Sequence, residues 1–487
     1  MANNIGVTVV EVDGRSSPTI TAAPTGTAGF LVRSERGAPD LAVRVRGFAD
    51  FAATFGRYTT TAYGAFAVRG FFDNGGSDAY VVRVVGAGAA PATVTLADRA
   101  STPVNTLTVR AGARGRPDPG AWGSSLTVAV EDNPAGTATV PAHLVGANTE
   151  PFALADGNTA QFTVTTRGVS NAVTVTFRTA DFAVIAAASA QEVAAVINRQ
   201  TTAVRAGVAP SGRLVVAVAA TDPRVWSRLQ ATGPASLGFT GAGANSDAAI
   251  AAGATVVAVS SASGFRTGAG VRLATRGHVL AANPIAGPVT DNSGLVVAAD
   301  GGAGQTVVLH TADFANPAAP TIAEAVAAIN RQAVAFTAQI THDNRLALLS
   351  NTLGTGSTIA VSAPAGGIAD ARTALGFPAT PSPVAGVTAF RTATAASETY
   401  RLVGWDATPA LPAMPAAAAT VSTVEFDLVV RRDGTEVERF RSLSMVDTDP
   451  AYVAAVVNDP RAGSAYVIVT DLDSASGVGL DVPAAGA

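Results

Sequence analysis

The residue types that carry acid–base or covalent chemistry are scarce in this chain and poorly spaced for it. The four histidines, His143, His278, His310 and His342, are scattered. They lack the HxxxH or HExxH spacing that puts two imidazoles on one helical face around a metal. There is no cysteine, which removes disulfides, thiol nucleophiles and thiolate ligands. There is no lysine either, so all 32 basic residues are arginines, and no Walker loop, Schiff base or kinase-type lysine can be built. Gly75-Gly-Ser-Asp-Ala79 departs from the Gly-x-Ser-x-Gly nucleophile elbow at its last position. Thr240-Gly-Ala-Gly-Ala-Asn-Ser246 starts like a dinucleotide loop but has Ser246 as its third member, and it reads as a linker. Asp447, Asp449, Asp471 and Asp473 suggest a carboxylate pair or a calcium site. The first two, however, bracket a helix start and the second two flank a strand end, where aspartates ordinarily cap and turn. No catalytic residue, cofactor site or metal site is assigned, and a non-enzyme is expected.

Composition narrows the classes further. The chain has 487 residues, enough for about three domains at roughly 150 residues each. It is 48% hydrophobic and 14% charged, against a usual charged share of about 25%, which excludes disorder. The 49 glycines and 27 prolines follow no strict period, so a collagen-like repeat is excluded too. A mean hydropathy of +0.31 comes from alanine and valine, and no run of about 18 uninterrupted apolar residues spans a bilayer. The opening Met1-Ala-Asn-Asn-Ile-Gly shows neither a basic nor an apolar signal region. A net charge of −4 argues against nucleic-acid binding. A soluble, globular, multi-domain chain is expected.

The elements follow from periodicity and turn residues. Residues 1–135 read as mixed α and β. Val7-Thr-Val-Val-Glu-Val12 is a β-branched run ended by Asp13-Gly14, and 28–33 is a second strand. Residues 48–55 read as a helix stopped by Gly56, and Ala62, Ala65, Val68 and Phe72 mark another. Residues 79–85 form an apolar strand of the kind that sits centrally in a sheet. Residues 124–131 read as a further strand. Near the end, Asp433-Gly434 joins two strand-like runs as a hairpin, and Asp449-Pro450 opens a helix over 451–458. Residues 465–472 read as a last strand, and the Gly, Ala and Pro-rich 473–487 as loose.

The middle of the chain is duplicated. Arg178-Thr-Ala-Asp-Phe-Ala183 returns as His310-Thr-Ala-Asp-Phe-Ala315, and Ile-Asn-Arg-Gln at 197–200 returns at 329–332, both 132 positions on. Leu237-Gly-Phe239 returns as Leu375-Gly-Phe377 at 138, so an insertion intervenes. Each copy reads as strand, helix, strand. The Asn-Arg-Gln triplet reads as a helix C-terminus with arginine at the negative end of the dipole, in preference to a functional triplet. The expected fold is therefore mixed, α+β or α/β. Residues 1–145 form one domain with an N-terminal β arm at 1–14, and 146–250 form the first inserted β-α-β repeat. Residues 251–290 are a β-rich connector, 291–390 the second repeat, and 391–487 the return to the first domain.

Several segments resemble the contractile tail sheath family of phages and injection systems. Gly6-Val-Thr-Val-Val-Glu-Val12 is similar to its opening strand, and Thr25-Gly-Thr-Ala-Gly-Phe-Leu31 follows. Phe48-Ala-Asp-Phe-Ala-Ala-Thr-Phe-Gly56 resembles its F-x-x-x-F-G element. Ala67-Val-Arg-Gly-Phe-Phe-Asp-Asn-Gly-Gly76 with Ala79-Tyr-Val-Val-Arg-Val84 is the most specific match. Gly120-Ala-Trp-Gly-Ser-Ser-Leu126 resembles a G-x-W-G-N-x-L element with Ser124 in place of asparagine. Glu438-Arg-Phe-Arg-Ser-Leu-Ser-Met445, with Tyr452 and Asn458, is similar to a later block. The likeness covers 5–135 and about 400–472. The family's large C-terminal α/β domain has no counterpart before Ala487. A second polypeptide, a specialised relative or a shortened chain would each account for that.

The resemblance implies a structural subunit that polymerises helically around a tail tube and rearranges on contraction. It implies a homo-oligomer, contact with a tail tube protein, and a second polypeptide as one source of the missing domain. It also implies a place in a virion tail or injection particle assembled in the host cytoplasm, with no nucleic acid and no membrane insertion. A strand at Gly6, Val7, Val9, Val10, Glu11 and Val12 would serve as the subunit-interface arm by adding to a neighbour's sheet. An ordinary edge strand of its own domain is the alternative. A collar or baseplate adaptor is a second reading of function, and a receptor- or glycan-binding tail component a third, although the insert holds only one tryptophan, Trp226.

Overall fold

The computed structural model describes residues 26–486 except 101, 220–224, 240–249, 409, 413, 415–418 and 475–478. Strand outweighs helix, 39% against 14%, so the mixed α/β expectation gives way to a mostly β fold. The physical reason lies in chain economy. Valine- and threonine-rich runs punctuated by glycine form many short strands, while the helices expected from sequence are present but few and short.

A small α/β unit opens the described chain. Thr27–Val32 runs parallel to Asp78–Arg83, which is central and also pairs antiparallel with Val43–Val45. Helices α1 (Phe48–Phe55) and α2 (Gly64–Asp73) cover one face, burying Phe51, Phe55, Ala65 and Val68 against Val32, Val45, Ala79 and Val81. Gly56 ends α1 at φ +81, where a side chain would be strained and its Cβ would meet Glu35.

Two antiparallel sheets follow, drawn from both ends of the chain, one of four strands counting the short Arg116–Pro117 and one of three. Asn105–Ala113 lies between Thr93–Ala97 and Val467–Asp471. Phe426–Arg432 lies between Leu126–Asp132 and Thr435–Leu443. The two share one core of Leu107, Val109, Val130, Phe426, Leu428, Val430, Val467 and Val469. The hairpin turns on Asp433 and Gly434 at φ +51 and +80. The helix expected over 451–458 shortens to Val453–Val457. Asp449 lies outside it, its carboxylate accepting from the Ala451 N–H at 2.8 Å.

The strands of 251–290 pair well beyond their own stretch. Val256–Ala258 and Gly270–Ala274 join Thr137–Thr139, Thr388–Ser397, Leu402–Trp405 and Thr420–Thr423 in a six-stranded sheet with its own core. Each repeat is larger than a single β-α-β unit. The first has two three-stranded antiparallel sheets around α3 (Ala190–Gln200), one of Thr159–Thr166, Val169–Thr176 and Ser227–Thr232, the other of His143–Thr149, Val204–Val208 and Arg213–Val218. The second has a three-stranded antiparallel sheet and a four-stranded one, in which Ala369–Asp370 pairs in parallel, around α4 (Ile322–Gln332). Phe182, Phe239, Phe314 and Phe377 are buried in their respective cores. Among the described residues, no helix is long and apolar enough to cross a membrane.

Candidate assembly surfaces

The interface arm read from sequence, Gly6, Val7, Val9, Val10, Glu11 and Val12, lies outside the described residues. Of the other segments that carry the resemblance, two supply residues to one joint, Arg83 and Trp122. Arg83 ends the central strand of the α/β unit, and its guanidinium meets the Asp118 carboxylate at 2.9 Å with both side chains about 95% enclosed. The Gly37 N–H donates to the second Asp118 oxygen at 2.7 Å, and Arg83 donates to the Gly37 carbonyl at 2.8 Å. Burial pushes the Asp118 carboxyl upward and the Arg83 guanidinium downward, each partly offset by the other's charge. Arg36 is buried beside them, its guanidinium 5.2 Å from the Trp122 ring and 5.1 Å from the Tyr466 ring. Glu35 and Arg432 close the rim at 2.9 Å. The joint fastens the α/β unit to the paired sheets, and Gly120 lets the backbone approach it, since a Cβ there would come within 3.1 Å of the Arg83 guanidinium.

The duplicated polar triplet is structural in both copies. The Asn198 amide donates to the Ala206 carbonyl at 2.9 Å and accepts from the Ala206 N–H at 2.8 Å; Asn330 does the same with Ala338 at 2.9 and 2.7 Å. Arg199 pairs with Asp181 and Arg331 with Asp313, each at 2.5 Å. Gln200 and Gln332 clamp the strands at Thr176 and Val308. Trp226 is also structural: its indole N–H donates to Gln339 at 2.7 Å and its backbone N–H to the Ile340 carbonyl, which ties the first repeat to the second.

Among the described residues the groups with catalytic potential do not assemble a site, and His310, with Nδ1 3.3 Å from an Asp291 oxygen, forms an exposed surface pair. His143 and His278 are buried beside the carbonyls of Pro141 and Arg276, and burial lowers the pKa of both, so they stay neutral at neutral pH. Asp471 accepts from Tyr452 at 3.2 Å and from the Asp473 N–H, a turn role. Among the described residues, no group of three or more His, Asp or Glu side chains is arranged to hold a metal.

Among the described residues, several of the large exposed apolar side chains gather on the α/β unit. The sheet face opposite α1 and α2 bears Leu31, 79% exposed, together with Tyr80 and Val84. Thr27–Val32 is also an edge strand. On the helical side, Tyr58 stacks on Phe48 and Phe66, and Tyr63, 86% exposed, lies beside Phe66. Sequence reasoning missed these positions. The signal was present in the alternation of Gly29, Leu31 and Val82, which places apolar side chains on both faces of one small sheet.

Neither the comparison with protein families nor that with curated proteins gives a match. Among solved structures the chain is similar to the flagellar cap protein FliD D2–D3 domains from Serratia marcescens, at 14% identity and a TM-score of 0.15. The match covers 31% of this chain and 65% of that one, slightly under two thirds of its length.

Proposed function

We propose that the chain is a structural subunit of a contractile tail or injection sheath, assembling through repeated contacts between copies around a tube. The observation that carries this is the apolar sheet face of the α/β unit that no described residue covers, with Leu31, Tyr80 and Val84 beside Thr27–Val32, an edge strand among the described residues. A face of that kind on a chain with no assembled catalytic group among its described residues marks an association surface. Heterologous contacts that do not close generate helical tubes, and contraction is then rigid-body movement of units joined by flexible strands. In this reading residues 1–145 and 391–487 form the sheath-type domain, and the two repeats project from it as decoration. The Gly6–Val12 arm is donated to a neighbouring copy. The uncovered face receives either another copy or a second polypeptide supplying the family's C-terminal domain.

Negative-stain microscopy of the purified protein, alone and with tube protein, tests the proposal. Tubes or stacked rings are expected. Removing residues 1–14 should abolish them while leaving cooperative unfolding intact. Normal assembly by the truncated chain would overturn the proposal.

A further inference from the structure

The two repeats meet at a second place besides Trp226. In the first repeat the hairpin of Thr159–Thr166 and Val169–Thr176 turns on Arg167 and Gly168. Its tip rests on the second repeat, where the Gly168 N–H donates to the His342 carbonyl at 2.6 Å. Beside that contact lies an open cleft of about 640 Å³, a size that suits a small ligand. Arg167 reaches it from the first repeat, and α4 and the strand Phe336–Ile340 supply most of the rest. The floor is apolar, made by the nearly buried Val326, Phe336 and Ile340. Arg331 brings a second guanidinium; its Nη2 pairs with Asp313, which leaves its other nitrogens as donors. Among the described residues that line the cleft there is no carboxylate.

The duplication supplies an internal reference. The clamp residues Asn198 and Asn330 match between the copies, as do the pairs Arg199–Asp181 and Arg331–Asp313. Positions at the cleft do not match. At the same 132-residue offset, Ala323 stands where the first repeat has Gln191, and Thr337 where it has Arg205. Arg205 is part-enclosed, with Glu398 and Arg401 near it. The second copy thus keeps the scaffold and replaces two long side chains with short ones at this face.

We infer that the cleft between the repeats binds an acidic oligosaccharide. Arg167 and Arg331 meet the carboxylate of a uronic-acid unit, and the C–H face of the sugar lies on Val326, Phe336 and Ile340. Backbone accounting selects a saccharide over a peptide. Phe336–Ile340 is an edge strand, but Asn330 takes both backbone groups of Ala338, and the Trp226 N–H takes the Ile340 carbonyl. An extended peptide therefore finds no free run of backbone to pair with. Recognition by side chains alone favours a stiff ligand that loses little entropy on binding. The site does not depend on the tube assembly proposed above.

Calorimetric titration of the unassembled protein tests this, with trimers of galacturonate, mannuronate and glucuronate and with the methyl esters of the same trimers. At low salt at least one free acid is expected to bind about tenfold tighter than its ester, and to weaken as salt rises. Arg167→Gln should weaken that binding about tenfold. Ala327→Trp, on the exposed face of α4, should abolish it. Ala195→Trp, at the same position of the first repeat, should leave it unchanged, with melting curves confirming that each variant folds. Equal binding of acid and ester, or no binding by any trimer, would overturn the site. So would binding that neither Arg167→Gln nor Ala327→Trp diminishes, an equal loss with Ala195→Trp, or tighter binding of a hexaglutamate peptide.

Discussion

Arg83 shows how a single residue of a recognisable motif can be indispensable for a reason invisible in sequence. It is one end of an enclosed ion pair whose partner, Asp118, lies on a different unit. Arg83→Ala strands a buried carboxylate and is expected to destabilise the protein by about 3–5 kcal/mol. Replacing both partners, as Arg83→Met with Asp118→Leu, should restore most of that loss. Chemical denaturation of the three variants checks it. Asp481 gives a prediction of a different kind. Burial, with Asp471 and Asp98 nearby, pushes its carboxyl up to about 6. Its protonated form is favoured by folding. The stability it contributes is therefore complete below the ordinary carboxylate range and is lost as pH rises through about 6. Asp481→Asn should raise the melting temperature at pH 7.5 and flatten its dependence between pH 4.5 and 7, which a melting series would show.

Among the elements, the helices of the repeats are held by the same amide clamp, in which Asn198 or Asn330 bonds both backbone groups of one strand residue. Alanine at either position leaves a part-buried N–H and carbonyl without their partner and should cost about 1–3 kcal/mol. Hydrogen exchange should quicken at Ala206 or Ala338 of the affected repeat only. These elements were legible in the sequence because their signals are local. Helix α1 with Gly56, the Asp433-Gly434 hairpin and the 132-residue spacing of Asp181, Asn198 and their copies all lie within short windows. Other elements left no such trace. Thr137–Thr139 and Val256–Ala258 are three residues long, too short for a period of two to register, and their pairing partners are remote. The tail was expected to be loose from its glycine, alanine and proline content. Val482 is nonetheless buried and Gly486 is paired, because tertiary edges recruit a segment with little propensity of its own. The exposed Leu31 and Tyr80 were hidden for a similar reason, since an apolar strand residue reads as core until the covering layer is seen to be missing.

At the scale of the molecule, the second repeat leaves and rejoins the six-stranded sheet at one place. Ala274 and Thr388 face each other on neighbouring antiparallel strands. Excising residues 276–386 and closing the gap with an Asn-Gly turn should therefore leave a cooperatively folding protein, read as a single calorimetric transition. Loss of that transition would mean that the repeat and the frame fold as one. The excision uncovers Trp226, so some loss of solubility is expected from the first repeat.

That six-stranded sheet also sets a timetable for biosynthesis. Thr137–Thr139 hydrogen-bonds to Thr420–Thr423, with both repeats emerging between them. At ~5–20 residues per second, the early strand waits on the order of 15–60 s for its partner. Each repeat closes its own core from a nearly continuous stretch and can be complete on the ribosome well before then. The nascent chain thus carries two finished globules on an unfinished frame. The appearance of Thr420–Thr423 becomes the step that lets the frame complete its native pairing.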